Sequence, residues 1–231
     1  MYTWHKLLSN LDEKCILWKY MSFSKFVNML TGKVYFNRLD NFEDVFEGTF
    51  PRYNAEHRKE IYGCSVMSNE KFDAIAQMTR GLLYVLCFHK SEYETAFMWK
   101  QYADNDGVAI KTSSDRLKRA FDKTEKSIYI GDVKYIDYDK EFMPEGNAFY
   151  LALHKRKSFE PEREVRCIYM VDDLNETNSY GKLIEVDLAQ LIEEIYVSPY
   201  AEPYIKENVE LIVDKFNISA NVIQSKLFTL N

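Results

Sequence analysis

Residues 155–170 read KRKSFEPEREVRCIYM. If the chain is extended from 162 to 170, Glu162, Glu164 and Arg166 project from one face. Arg163, Val165 and Cys167 then project from the other. Two carboxylates and a guanidinium would line up about 7 Å apart at the mouth of a strand. Close carboxylates push one pKa up, and a neighbouring arginine pushes it back down. In such a pair one group stays ionised and stabilises a cation, while the other accepts a proton. The same spacing also suits a polar strand end whose Glu–Arg pairs face water.

Other stretches carry candidate chemistry. In RLDNFEDVFEG, residues 38–48, the acids Asp40, Glu43, Asp44 and Glu47 follow Arg38 at a strand end. Arg38 could clamp a phosphate bidentately, or pair with Asp40 or Asp44. Trp99 and Tyr102 are three residues apart on one helix face, as an aromatic wall for a ring or as core. HKRK, residues 154–157, falls at the end of an expected helix, where cations complement the helix dipole. The histidines at 5, 57, 89 and 154 lack metal-ligand spacing, so no metal site is read. No G-x-G-x-x-G, Walker loop, H-E-x-x-H or G-x-S-x-G occurs.

The elements that must position these residues alternate. Strands are expected at 15–20, 33–38, 82–88, 107–113, 128–138, 164–171, 182–188, 195–199 and near 220–227. Helices are expected at 22–30 behind Ser22, from Ser91 to Tyr102 with Glu94 in a capping box, near 115–121, at 146–157 and at 202–216. In the last of these Ile205, Val209, Ile212 and Phe216 form one stripe. The turn-rich linker 172–181 suggests a hairpin between the strands at 164–171 and 182–188. Strands and helices mixed without a βαβ rhythm favour an α+β domain, with a mixed or antiparallel sheet and flanking helices, over residues 1–231.

Composition narrows the partners. A net charge of −6 argues against broad nucleic-acid coating, though not against a local basic groove. Cys15, Cys87 and Cys167 lie in apolar runs and read as core thiols, and no C-x-x-C is present. No apolar run approaches a membrane span, and no secretory signal is visible. The expectation is a soluble, reduced, cytoplasmic protein.

Several segments together resemble a bacterial family, domain of unknown function 2971. They are WKYMSFSKFVNMLTGKVYFNRLDNFEDVFEG, ETAFMWKQYADNDGVAIKT, KRKSFEPEREVR and IYVSP. A more distant resemblance is to ADP-ribosyltransferase folds, whose late strand begins with a catalytic Glu in E-x-E or Q-x-E. It implies Glu164 as the catalytic glutamate and Glu162 as its partner two residues before. It implies an early-strand NAD-holding position at Lys19, followed by Tyr20, or at Arg38. NAD is then the implied substrate, with Trp99 or Tyr102 flanking a ring and no firm cofactor.

Three function classes stay open from the sequence. The first is an ADP-ribosyltransferase-like enzyme that cleaves an N-glycosidic bond of NAD or another nucleotide. The second is a nucleic-acid-processing or effector domain of a defence or toxin system, with Arg38, Lys155, Arg156 and Arg166 as a basic groove. The third is a non-catalytic domain in which Glu162, Glu164 and Arg166 form a buried network.

Overall fold

The computed structural model describes residues 1–8, 11, 12, 14–172, 174–177 and 179–230. Its elements run β1 Ile16–Met21, α1 Phe23–Met29, β2 Lys33–Arg38, α2 Arg52–Tyr62, α3 Asn69–Leu82, β3 Leu83–Lys90, α4 Ala96–Tyr102 and β4 Val108–Ser113. There follow α5 Ser114–Ala120, β5 Tyr129–Asp132, β6 Lys134–Ile136, α6 Phe149–Leu153, β7 His154–Arg156 and β8 Glu164–Met170. The last are β9 Gly181–Glu185, α7 Leu188–Leu191, β10 Glu194–Val197, α8 Pro203–Lys215 and β11 Asn221–Gln224.

The α+β expectation holds. The main sheet runs β11-β10-β4-β1-β3-β2-β9, with β8 on the other edge of β3 and β5 beyond it. Its pairs are antiparallel except β10 with β11, the two strands that α8 joins. A parallel pair needs such a crossover. A separate small parallel pair joins β6 to β7.

Alternation along the strands splits the interior in two. Leu17, Met21, Phe88, Ile110, Val165 and Cys167 face one layer, with Phe26 of α1, Leu117 of α5 and Val209 of α8. On the opposite face Val85 and Ile168 pack against Ala76 of α3 and Leu151 of α6. Trp18, Tyr20 and Ala109 pack there against Met98 and Trp99 of α4. Glu164 and Arg166 share the face of Ile168, so β8 carries two charges into a covered layer.

Several local expectations are corrected. β8 pairs with β3 and β5, whereas β9 pairs with β2, so no 164–171/182–188 hairpin forms. Part of the linker, residues 173 and 178, lies outside the described residues. The 128–138 strand breaks into β5 and β6 at Val133. The helix expected from Ser91 starts at Ala96, where the Thr95 hydroxyl caps the Met98 amide. Glu94 instead accepts from the Trp99 indole and the Ser225 hydroxyl. On α8 the stripe closes with Val213 rather than Phe216.

The most consequential correction concerns 146–157. The helix ends at Leu153, and His154–Arg156 become strand β7 beside β6. Pairing with β6 ends the helix at this point. His154 is its C-cap, and the cations Lys155, Arg156 and Lys157 follow on the strand and the 3-10 turn rather than in the helix's last turn.

The turn between α4 and β4 is fixed by Gly107. A Cβ there would stand 1.9 Å from the Ala103 carbonyl oxygen, whereas at Gly146 it would meet nothing within 4 Å. Gly107→Ala is expected to cost about 2 kcal/mol or more, and Gly146→Ala well under 1 kcal/mol. Denaturant melts of the two variants check this; equal midpoints would contradict it.

Candidate functional site

Five ionisable side chains from four elements of the chain meet behind the start of β8. Glu47 comes from the turn after β2, Lys155 from β7, Glu162 from the 3-10 turn before β8, and Glu164 and Arg166 from β8 itself. None is more than 6 % exposed. The Lys155 ammonium donates to Glu162 Oε2 and, at 2.7 Å, to Glu164 Oε1. Arg166 Nε donates to Glu164 Oε2 at 2.7 Å, and Nη1 to Glu47 Oε1 at 2.7 Å and to the Ala152 carbonyl at 2.8 Å.

The E-x-E pair is brought together, but not by strand alternation. Glu162 ends the 157–162 turn, and Arg163 is left-handed at φ 41°. The strand starts at Glu164, whose backbone amide donates to the Tyr135 hydroxyl at 2.8 Å. The His89 ring, opposite Glu164 in the β3–β8 register, places Nδ1 2.7 Å from the Glu162 carbonyl oxygen. That contact requires Nδ1–H as the donor, which makes Nε2 the unprotonated ring nitrogen.

The two glutamates titrate in opposite directions. Burial raises the Glu162 carboxyl, the adjacent Glu164 raises it further, and the result is about 7. Burial also opposes ionisation of Glu164, but Arg166 and Lys155 outweigh it and hold that carboxyl well below its ordinary range. Lys155 and Arg166 stay charged because the carboxylates around them outweigh their desolvation. Three carboxyls face two cations, so one carboxyl is left over. It is Glu162, whose Oε1 accepts from the Tyr102 hydroxyl at 2.9 Å. Tyr102 is 40 % exposed, and it connects the buried carboxyl to the surface.

The other sequence candidates divide. Tyr20 and Trp99 lie near this centre as core: their rings meet edge-on at 5.0 Å, and Trp99 is fully buried. Trp99 therefore cannot flank a ligand ring. The Tyr20 hydroxyl accepts from the Thr95 amide. Asp44 is bound by Arg156 at 2.8 Å. Arg38 is elsewhere: it pairs with Asp40 at 2.6 Å and donates to the Thr177 carbonyl. In the register it lies opposite Tyr84, on the edge of β3 away from β8 and five positions from His89. A joint site of Arg38 with Glu164 is thus ruled out. The basic groove also fails to form. Arg38, Arg156, Lys155 and Arg166 are each neutralised by a carboxylate, and the last two are buried.

Sequence reasoning did not place Glu47, Lys155 and His89 in this centre. Glu47 was grouped with the acids that follow Arg38, and Lys155 with a helix end or a basic groove. A buried His89 had no spacing signal at all.

Residues 98–167 match the family model described as a protein of unknown function (DUF2971). The resemblance to that family holds over this segment. It runs from α4 into β8 and holds Tyr102, Lys155, Glu162, Glu164 and Arg166, while Glu47 and His89 come from outside it. No curated protein and no solved structure matches the chain. No described helix is long and apolar enough to cross a membrane.

The raised Glu162 pKa has a stability signature. Relative to an unfolded value of 4.5, a folded value near 7 gives a contribution present at low pH and lost as pH rises through about 7. His89 and His154, both lowered by burial, act in the opposite sense, losing stability as pH falls below their ordinary 6.5. Subtracting variants isolates the glutamate. The Tm of Glu162→Gln minus that of wild type should climb between pH 4.5 and about 7. A difference that is flat with pH would contradict the assignment.

Proposed function

We propose that the buried centre is the acid–base site of an enzyme that transfers a glycosyl group from NAD or a related nucleotide. The observation that supports it is the arrangement of three buried carboxyls around two cations, with the surplus one hydrogen-bonded to Tyr102. Burying five ionisable groups is expensive, and apolar residues of the same volume would often stabilise the fold as well or better. What the cluster supplies instead is a fixed field and one carboxyl that exchanges a proton near neutrality.

The roles follow from position. Glu164 is saturated by Lys155 and Arg166, so it acts as a permanent anion that favours positive charge at the mouth of the site. Glu162 is the group that accepts a proton. In the reaction an acceptor oxygen or nitrogen attacks the ribose carbon, and the bond to the pyridinium nitrogen breaks. The bonding pair neutralises that nitrogen as nicotinamide leaves. The acceptor's proton passes to the ionised Glu162 carboxylate. The resemblance to ADP-ribosyltransferases rests on Glu162 and Glu164, with Glu164 as the charge-stabilising glutamate and Glu162 as the proton-accepting partner two residues before it.

A second reading, a purely structural Glu/Arg network, is favoured by the complete pairing of Glu164. Nicotinamide release and thermal melts separate the two. Glu162→Gln should abolish release while the protein stays folded. Glu164→Gln should cost about 3 kcal/mol or more, because it leaves Arg166 and Lys155 short of an anion. Equal release by wild type and Glu162→Gln, or none by wild type, would leave the structural reading standing.

A further inference from the structure

Beside the charged centre lies a cation that the reading above does not use. Arg156 is the residue after Lys155 on β7, and its side chain is 35 % exposed where its Asp44 partner is 7 % exposed. Its guanidinium carbon sits 4.4 Å over the Phe46 ring and 5.4 Å from the Phe159 ring. The Phe159 ring also lies 4.6 Å from the Lys155 ammonium, so one aromatic side chain touches both cations. Phe46 is itself 47 % exposed, an aromatic face left open at this rim.

The hydrogen-bond inventory leaves room for a further anion. Arg156 spends Nε and Nη2 on Asp44, and Nη1 has no partner among the described residues. A guanidinium has five N–H donors, so carboxylate pairing along one edge leaves the other edge free. One more polar atom nearby is unmatched. The Tyr138 hydroxyl, which can donate to an anion, is buried without a partner among the described residues, in the field of Glu47, Arg166, Asp44 and Arg156. Unmatched buried polar atoms are rare in folded proteins and call for an occupant or a partner.

Resting on the glycosyl-transfer reading, we propose that Arg156, framed by Phe46 and Phe159, is the specificity residue that holds the phosphate of a phosphorylated glycosyl donor. Phosphate suits the free guanidinium edge through paired N–H donors. The exposed Phe46 ring suits a nucleobase. Asp44 fixes the guanidinium before substrate arrives, so little side-chain freedom is lost on binding. The anion-holding role that the sequence suggested for Arg38 thus belongs to a different arginine, on the strand that carries Lys155.

The test compares a donor that bears phosphate with one that does not. Arg156→Met should raise KM for NAD about tenfold or more, the worth of a charge-assisted contact, and leave kcat within about twofold. KM for nicotinamide riboside should not change. Arg156→Lys, which keeps the charge beside Asp44, should recover part of the NAD effect, and circular dichroism checks that each variant folds. Equal losses with both donors, or no loss with NAD, would overturn the proposal. If neither donor is turned over, the chemistry assigned above fails, and binding still decides the role of Arg156. ADP should then raise the wild-type Tm more than adenosine does, and Arg156→Met should erase that difference. No advantage of ADP over adenosine, or an advantage that survives the substitution, would overturn it.

Discussion

The Lys155 ammonium is the contact on which the centre depends. It reaches Glu162 and Glu164 together and stands 3.6 Å from Glu47. Two carboxylates brought side by side in a low-dielectric layer repel strongly, and one shared cation between them is the least costly remedy. Arg166 supplies the second cation and ties Glu164 to Glu47 and to the chain at Ala152. The two bases and three acids form one body, and changing any member but the surplus Glu162 leaves another buried charge unmatched.

That body sits where the fold is best able to hold it. β8 is flanked by β3 and β5, and its opposite face is sealed by Val165, Cys167 and Tyr169 in the larger core. The face that carries Glu164 and Arg166 is covered by α6, β7 and the turn that ends at Glu162. Rigid neighbours on every side keep the carboxyls at fixed separations, which gives them different proton affinities. The odd number of acids makes the surplus one, Glu162, titratable, and Tyr102 gives it a route to solvent.

Much of this was legible in the sequence, and the reasons for the remainder are physical. The strand that begins at 164, the shared face of Glu164 and Arg166, and the core thiol at 167 follow from period-two spacing and apolar runs, whereas Glu162 joins Glu164 through the left-handed turn at Arg163. Tyr102 was named, although its use is a hydrogen bond to Glu162 rather than a stacking wall. Lys155 was not legible, because GNAFYLALHKRK satisfies a helical pattern. Only pairing with β6 turns His154–Arg156 into a strand. Glu47 was hidden for a similar reason: nothing in an acidic run says which member points inward. Arg38 was misassigned since strand-end position carries no information about which edge of the neighbouring strand it occupies.

The opposed titration of two glutamates two residues apart can be observed directly. Side-chain carboxyl ¹³C shifts, assigned with Glu162→Gln and Glu164→Gln and followed against pH, report each group separately. Glu162 should titrate with a midpoint near about 7, while Glu164 stays ionised to well below 4.5. Two ordinary midpoints close to 4.5 would show that Lys155 and Arg166 do not set these carboxyls apart, and the acid–base role of the centre would fall with them.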